Sequence, residues 1–346
     1  MCNLLASHSL EPTKDWLPFQ NSQGLSLSRK ASVSRAFDVI DHPILLAKLS
    51  QLDLPDFAVN WIVSFLSDRT QAVVAQGVVS PLKPINTGII QGSGIGPTLY
   101  IVMEGYLCTL STCNKLCKLA DDTSLLVPSN SDVSLADEFN NVKQWALENR
   151  MTINMQKTKE IVIHRPSPRT FVYPVPVDSI EQVTSAKLLG VILHECLRFD
   201  EHVRYINAIC AQRMYLLKRL RDQGLAVNQL NTVFQSLIVN RIRYAIPAWG
   251  GFVTAELRGS INAVFRRAFR YGFCNKLHSV EQIMEVADCR FFAAVQNPDH
   301  CINCILPDVK ECSADLRYRP HHYQLPQYKY DIYRKSFIPR CLFQYM

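Results

Sequence analysis

Two adjacent aspartates, Asp121 and Asp122, interrupt the mostly apolar or small stretch CKLADDTSLL and constrain its local fold. An unpaired charge buried among apolar neighbours would be costly. Neighbouring residues of a regular strand point to opposite faces, so both carboxylates can serve one site only where the backbone turns. The flanking residues 119–120 and 125–127 favour strands, and Asp-Asp-Thr is typical of a turn. The sequence therefore predicts a hairpin whose tip either lies in solvent or presents two carboxylates to Mg²⁺.

The composition excludes several classes of protein. The chain has 346 residues, of which 48% are hydrophobic and 19% charged, as in globular domains. No apolar run approaches the roughly 18 residues of a membrane span. The N-terminus has no basic leader before its short apolar patch, which argues against a secretory signal. We therefore expect an intracellular protein of the nucleus and/or cytoplasm, without a transmembrane segment and with free thiols at its 12 cysteines.

One cysteine cluster resembles half of a zinc site. Cys301 and Cys304 form a C-x₂-C pair, with His300 beside it. A convincing site needs a second close pair at ligand spacing. The nearby candidates do not have such spacing, so ordinary cysteines are favoured; these candidates are Cys312, His321 and His322.

The net charge of +7 is spread unevenly. Basic residues cluster between 198 and 270 and again in the last thirty residues. Such a distribution suits a polyanionic partner. Solvated helix faces explain the same pattern equally well, and charge alone does not separate the two.

Hydrophobic periodicity predicts mostly helices, with a few strands. The first thirty residues show no clear period and are interpreted as a poorly structured leader. Strands are expected at 71–79 and 160–164. Helices are expected within 43–66, where a break at 53–55 separates two, and at 134–149, 201–223, 228–245 and 256–271.

Several motifs occur in an order that resembles the reverse transcriptases of non-LTR (LINE-like) retrotransposons, especially the jockey-like or RTE-like kind. Each motif alone is weak, but the ordered set is specific. The motifs are SRAFDVIDHPILLAKL (34–49), FLSDRTQAV (65–73), GIIQGSGIGPTLY (88–100), LADDT (119–123), INMQKTKEIVI (153–163) and AKLLGVILHECLRFDEHV (186–203). The segments YAIPAWGG (244–251) and IPRCLF (338–343) are similar to the tails of these elements.

The resemblance implies an α+β fold with the right-hand architecture of polymerases. Its palm would be a small antiparallel sheet backed by helices, with incomplete fingers, followed by a mostly helical thumb and a C-terminal region. The implied limits are a degenerate leader at 1–31, a palm with residual fingers at 32–185, a primer grip and thumb at 186–275, and a C-terminal tail at 276–346.

The resemblance also implies the chemistry, template-directed DNA synthesis on RNA by two-metal nucleotidyl transfer. Asp121 would be the principal ligand of Mg²⁺, or of Mn²⁺, and Asp122 would support it. Lys157 would approach the triphosphate as a charge stabiliser or proton donor. The implied partners are an RNA template with a DNA primer, or an RNA–DNA hybrid, and a dNTP, with no membrane.

Substrate contacts are implied at two further places. Phe37 matches the aromatic position that excludes ribonucleotides by packing against C2′ of the sugar, although an ordinary core phenylalanine would look the same. Gln91, Gly92 and Ser93 would contact nucleotide or template where the backbone comes close to it; glycines at 88 and 96 suit this because they lack a Cβ. A plain loop before a helix, which Pro97 also allows, is the alternative interpretation of this segment.

The chain departs from the family pattern at Ser32, where the family has a metal-binding aspartate. A neutral hydroxyl cannot replace a carboxylate that bridges two divalent ions, and neither Asp38 nor Asp41 is an easy substitute. At most 31 residues precede Ser32, where family members carry an extended fingers region. We therefore expect an N-terminally truncated copy that is inactive or strongly impaired.

Three alternatives stay open. The chain could be a non-catalytic nucleic-acid-binding remnant that uses the basic helices of 204–270. It could also be a decayed element without a present function. An unrelated metalloenzyme built on Asp121, Asp122 and the His-rich tail is the most distant possibility.

Overall fold

The computed structural model describes residues 26–32, 36–164, 172–177, 180–309, 322–328 and 330–344, with side chains from 36 onward. The chain divides into two compact units. Among the described residues, unit 1 comprises 26–162 and 172–183 with the gaps just given, and unit 2 comprises 163–164 and 184–344.

Unit 1 combines short strands with four helices in its described part. Its strands are β1 (Ser26–Ser32), β2 (Arg69–Gln71), β3 (Val74–Ala75), β4 (Val78–Val79), β5 (Lys83–Ile85), β6 (Lys115–Leu119), β7 (Asp122–Pro128), β8 (Lys159–Ile163, whose last residue is assigned to unit 2) and β9 (Glu181–Gln182). Its helices are α1 (His42–Leu49), α2 (Asp56–Leu66), α3 (Gly96–Glu104) and α4 (Leu135–Glu148).

The main sheet has the strand order β6-β7-β1-β8-β9. β7 pairs antiparallel with both β6 and β1, and β8 pairs parallel with β9. Helix α4 contributes Phe139 and Trp145 to a core that also contains Leu99 and Tyr100 of α3 and Leu45 of α1. A small sheet and packed helices together make unit 1 an α+β structure, the class that the resemblance implies.

Two expectations for unit 1 are wrong. Residues 26–31, placed in a poorly structured leader, form β1 because their backbone pairs with β7 over its whole length; residues 1–25 lie outside the described residues. The single strand expected at 71–79 is interrupted at Gln76 and Gly77, both with left-handed φ (51° and 79°). Such a two-residue turn joins β3 to β4 as a tight hairpin.

Unit 2 begins with the hairpin of β10 (Ser185–Leu188) and β11 (Val191–His194) and is helical thereafter in its described part. The helices predicted at 201–223, 228–245 and 256–271 are confirmed. The helices are α5 (Asp200–Asp222), α6 (Val227–Phe234), a π-helical turn (Gln235–Val239), α7 (Asn240–Arg243), α8 (Ile246–Trp249), α9 (Ala255–Arg270), α10 (Val280–Val295), α11 (Asp331–Lys335) and α12 (Phe337–Gln344).

A buried ion pair joins α10 to α12 within unit 2. Asp288 is fully buried, and Arg340 donates to both of its carboxylate oxygens at 2.9 Å. The same guanidinium donates to the carbonyl oxygens of Pro247 at 3.0 Å and Lys335 at 2.7 Å. Arg340 therefore connects the two C-terminal segments, 244–251 and 338–343, that the sequence presents as separate motifs.

Within the described ranges, every helix is too short or too polar to cross a membrane.

Candidate active site

The predicted hairpin is confirmed, and its tip is formed by Ala120 and Asp121. β6 and β7 pair antiparallel up to Leu119 and Asp122, which leaves a two-residue turn. Ala120 has a left-handed φ of 50°, as tight hairpin turns require. Both aspartates are half-buried, Asp121 in the turn and Asp122 as the first residue of β7. The turn and the first residue of β7 thus carry two consecutive carboxylates, on a backbone that the flanking strands fix.

The neighbouring strand β1 places position 32 beside this tip. In the antiparallel register of β1 and β7, Ser32 lies opposite Asp122. The structure describes the backbone of Ser32 but not its side chain. The residue that departs from the family pattern is therefore the one whose backbone pairs with that of a tip aspartate.

A buried carboxyl group, Glu104, lies within electrostatic range of the tip. Burial is the main reason why the pKa of Glu104 rises to about 7, and the charge of Asp121 raises it further, against the lowering effects of Lys118, Tyr100 and Lys48. The Tyr100 hydroxyl donates to Glu104 Oε1 at 3.1 Å. The pKa of Tyr100 is also raised, first by burial, then by Glu104, and in smaller part by Asp121. The negative charge of Asp121 therefore reaches two buried groups.

Two lysines stabilise the end of α3 next to Glu104. Lys118 donates to the carbonyl oxygens of Glu104 at 2.8 Å and Leu107 at 3.1 Å, and Lys48 donates to that of Met103 at 2.6 Å. Burial, and then the charge of Lys118, lowers the pKa of Lys48 to about 8. Sequence reasoning missed this cluster. A signal was present, since Glu104 interrupts an apolar helical stretch.

Backbone contacts join the predicted substrate loop to the segment that carries Phe37. The amide of Gly88 donates to the Ile40 carbonyl, and that of Ile89 donates to the Phe37 carbonyl, both at 2.7 Å. Gly88 has a φ of +86°, and a Cβ there would lie 2.7 Å from the carbonyl oxygen of Asp38. Only glycine fits this close approach without strain.

The side chains of this region divide into two groups. The Phe37 ring is half-buried and stacks on Tyr100, with centroids 4.8 Å apart, and Gln91 donates from Nε2 to Asp38 Oδ1 at 2.9 Å. Ser93 is engaged locally, because its hydroxyl accepts from the Gly96 amide at the start of α3. Phe37 and Gln91 thus lie on two segments that contact each other.

Gly92 and Lys157 are exposed positions. Gly92 has a φ of +85°, and a Cβ there would meet nothing within 4 Å. Lys157 lies in the turn before β8, where its amide donates to Asn154 Oδ1 at 3.1 Å. Its side chain makes no hydrogen bond or ion pair with any residue that the structure describes. The role predicted for Lys157 stays a prediction.

Asp41 has a structural role. Its carboxylate accepts from the Ile44 amide at 3.1 Å and so caps α1, and it pairs with Arg150 at 2.7 Å. Asp38 is engaged by Gln91. Both carboxylates therefore have partners, in agreement with the view that neither replaces the missing aspartate.

The donor set at the tip suits a hard divalent cation. Asp121 and Asp122 supply carboxylate oxygens, the ligands that Mg²⁺ prefers. Burial is the main cause of the raised pKa values of Glu104 and Tyr100, and the negative charge of Asp121 adds to both in smaller part. A cation at the tip would compensate this charge. Position 32, opposite Asp122, is a serine.

The half zinc site suggested at Cys301 and Cys304 gains no support. Both thiols are exposed, and Cys304 Sγ contacts the Cys301 carbonyl oxygen at 3.7 Å. Cys312 and His321 lie outside the described residues.

Comparison with known proteins gives a match to a family model for half of the chain. The model described as "Reverse transcriptase (RNA-dependent DNA polymerase)" matches residues 18–193. The chain is 29% identical over 238 residues to the RNA-directed DNA polymerase from mobile element jockey of Drosophila melanogaster. This alignment covers 63% of the chain and 25% of the relative. It is 21% identical over 266 residues to the Pol polyprotein from type-1 retrotransposable element R2 of Popillia japonica, covering 73% and 43%.

Solved structures give weaker similarity. A Candida tropicalis telomerase in complex with a telomeric RNA fragment matches with a TM-score of 0.41 and 11% identity, over 88% of this chain and 50% of that one. The Candida albicans telomerase complex matches with a TM-score of 0.37 and 14% identity, over 76% and 49%. The chain spans about a quarter of the length of the Drosophila relatives it matches.

Proposed function

Since the chain belongs to the reverse transcriptase (RNA-dependent DNA polymerase) family, we propose that unit 1 is the palm of a template-directed DNA polymerase and unit 2 its helical thumb and C-terminal region. The observation that carries the proposal is the β6–β7 hairpin, which presents Asp121 and Asp122 at a fixed turn. Its proposed partners are an RNA template, a DNA primer or RNA–DNA hybrid, and a dNTP.

Members of this family generally use a divalent metal, and we assign Mg²⁺, or Mn²⁺, to Asp121 and Asp122. When bound, such ions activate the primer 3′-hydroxyl and neutralise charge on the phosphates. Lys157 would bind the triphosphate from its exposed turn. Phe37, whose ring rests on Tyr100, would pack against the sugar.

The substrate loop would act through its backbone. Gly88 anchors the loop to the segment of Phe37, and Gln91, Gly92 and Ser93 follow at exposed or half-buried positions. The Gln91 amide, oriented by Asp38, would contact nucleotide or template. The exposed, side-chain-free Gly92 leaves room for a base or phosphate to approach the backbone.

We further propose that this copy is strongly impaired because of Ser32. The register of β1 and β7 sets position 32 opposite Asp122, where a carboxylate would complete the ligand set. A serine hydroxyl carries no charge at neutral pH and is a poorer ligand for Mg²⁺ than a carboxylate. The tip would then bind metal through two carboxylates and transfer nucleotides slowly.

Primer extension with the purified full chain tests both parts. Labelled primer on an RNA template, with Mg²⁺ or Mn²⁺ and four dNTPs, should show weak incorporation for the parent chain. S32D should raise incorporation by at least about tenfold, and the neutral control S32N should not. Adding D121N to S32D should abolish the gain, because it removes the principal carboxylate ligand and returns the site to two carboxylates.

Two outcomes would count against this proposal. Robust template-dependent incorporation by the parent chain would overturn the impairment. A folded S32D variant without any gain, judged by circular dichroism equal to that of the parent, would argue against the assignment of the palm.

A second candidate function is the binding of nucleic acid without catalysis. Exposed basic residues of unit 2 favour it. Arg219, Lys218 and Arg221 are exposed on α5, and Arg266 and Arg267 are exposed on α9. If these residues contact phosphates, the logarithm of the affinity falls linearly with the logarithm of salt, and each lost contact lowers the slope by about one. Binding by D121N that equals that of the parent, with a slope reduced in R266Q/R267Q, would support this function. A slope unchanged in R266Q/R267Q would contradict it.

A further inference from the structure

Three potential metal ligands of different chemistry meet in unit 2, in sequence segments that are 31 residues apart. His164, Glu195 and Cys196 each offer one ligand atom, and these atoms all lie within 4.8 Å of one another. His164 Nε2 is 3.7 Å from Glu195 Oε1 and 4.0 Å from Cys196 Sγ. The His164 and Glu195 side chains are only 11% and 12% exposed, and Cys196 is buried. The cluster is thus compact and mostly shielded from solvent.

The backbone holds the three residues in place. The amide of His164 donates to the Glu195 carbonyl at 2.9 Å, and the amide of Glu195 donates to the Thr184 carbonyl at 2.9 Å. A tight turn follows β11, since the Leu197 amide donates to the His194 carbonyl at 2.8 Å. The ligands are therefore presented by hydrogen-bonded backbone and need little reordering, which reduces the entropic cost of binding.

The spacing is close to that of a tetrahedral zinc centre. Zinc bonds of about 2.3 Å to sulfur and 2.0–2.2 Å to nitrogen or oxygen place adjacent ligand atoms roughly 3.4–3.6 Å apart. The distances from His164 Nε2 to Glu195 Oε1 and to Cys196 Sγ exceed this range by a few tenths of an ångström. Small rotations of the side chains would close the difference.

The ligand types select the metal. A thiolate and an imidazole favour zinc and similar transition metals, whereas Mg²⁺ and Ca²⁺ take oxygen ligands. His194 lies next to the cluster, but its Nδ1 already accepts from the Cys196 amide at 3.0 Å. We propose that His164, Glu195 and Cys196 bind one Zn²⁺ and that water completes its coordination.

The consequence of this site is local. A bound ion would fix the turn after β11 to residue 164 within unit 2, in addition to the backbone hydrogen bond between them. In zinc sites with three protein ligands, the fourth position is open to water or another ligand. The inference does not depend on the proposed polymerase function.

Cobalt substitution of the purified full chain tests the site. Co²⁺ reports a thiolate ligand through its charge-transfer absorption, and Zn²⁺ added afterwards should remove the absorption at one equivalent. C196S should abolish the charge-transfer band, while H164N and E195Q should weaken Co²⁺ binding at least about tenfold. The double variant C301S/C304S is the matched control, because it removes two exposed thiols of a competing pair, and it should leave the band unchanged.

Three results would overturn the proposal. The first is the absence of a thiolate band in the parent chain at saturating Co²⁺. The second is a band that persists in C196S, and the third is its loss in C301S/C304S, which would assign the binding to other thiols. If C196S fails to fold, the affinities of H164N and E195Q decide, because unchanged binding in both contradicts the site.

Discussion

Carboxylates are used in opposite ways in the two units. Asp288 of unit 2 has no exposed surface and is neutralised by Arg340, which donates to both of its oxygens. Asp121 of unit 1 is half-buried in a turn, and its charge adds in smaller part to the effect of burial, which raises the pKa values of Glu104 and Tyr100. The first carboxylate is matched by its own chain, whereas the second adds negative charge to its surroundings. The difference separates a carboxylate that is paired within the fold from one that we propose binds a metal ion.

The largest expected effect on stability concerns the ion pair of Asp288 and Arg340. R340M should lower the free energy of unfolding by about 3–5 kcal/mol, because it leaves a buried carboxylate without its cation. Burial already raises the pKa of Asp288, and Arg340 is what opposes that rise. Urea denaturation at pH 7 measures the loss.

The double variant D288L/R340M is the control for this prediction. Replacing both partners by apolar residues removes the uncompensated charge, so most of the stability should return. Part of the loss should remain, since Arg340 also donates to the carbonyls of Pro247 and Lys335. If the free energy of unfolding of R340M lies within about 1 kcal/mol of that of the parent, the Asp288–Arg340 pair does not hold the fold.

A second prediction uses pH to test the electrostatics beside the hairpin tip. The pKa of Glu104 is about 7 in the folded chain, above its ordinary value of 4.5. The folded state therefore holds this proton more tightly than the unfolded state. The stabilisation is fully present below pH 4.5, is lost as the pH rises towards 7, and amounts to at most about 3 kcal/mol.

E104Q removes this titration and keeps the shape of the side chain. Urea unfolding of parent and variant at pH 5 and pH 7.5 should show that the stability difference between them changes with pH by up to about 3 kcal/mol. The lowered pKa of Lys48, about 8, acts mainly above this window. Parallel pH dependences for the two proteins would contradict the assignment.

The comparison also shows what could be predicted from the sequence. The hairpin was predictable because turn residues and apolar flanks are adjacent in the chain, and α5 and α9 were predictable because their apolar stripes repeat over four turns or more. Strand β1 was not, since SLSRKAS has no apolar alternation and its partner β7 begins 90 residues after β1 ends. The pairing of β1 with β7 therefore could not be predicted from the side chains of β1.

Long-range polar contacts were equally hidden. Asp288 and Arg340 are 52 residues apart, and His164 and Cys196 are 32 apart. Asp288 and Arg340 are each typical of a solvated surface, and in both pairs only the fold brings the partners together. Glu104 was the exception that the sequence could have revealed, because a carboxylate inside an apolar helical stretch requires a partner.

A third prediction concerns the backbone that carries the substrate loop. Gly88 and Gly92 share a φ near +85°, but only at Gly88 would a Cβ meet backbone, 2.7 Å from the Asp38 carbonyl oxygen. Both G88A and G92A should pay the left-handed penalty of about 1–2 kcal/mol. G88A should lose a further 1–3 kcal/mol, roughly the cost of overpacking. Equal losses in urea unfolding would show that the contact with the Phe37 segment does not constrain the loop.

The smallest expected change in stability is at the tip itself, and it completes the comparison with Asp288. D121N should alter the free energy of unfolding by less than about 0.5 kcal/mol, because the carboxylate is half-buried and its side chain is not needed to close the turn. It should nevertheless weaken Mn²⁺ binding, measured by electron paramagnetic resonance of free Mn²⁺, and shift the pH midpoint of the Glu104 effect downward, since Asp121 raises that pKa. D137N, which changes an exposed carboxylate in the first turn of α4, is the control. It should change neither the Mn²⁺ binding nor the pH midpoint of the Glu104 effect. A loss of stability approaching that of R340M, or unchanged Mn²⁺ binding, would mean that the tip carboxylate serves the fold in the way that Asp288 does.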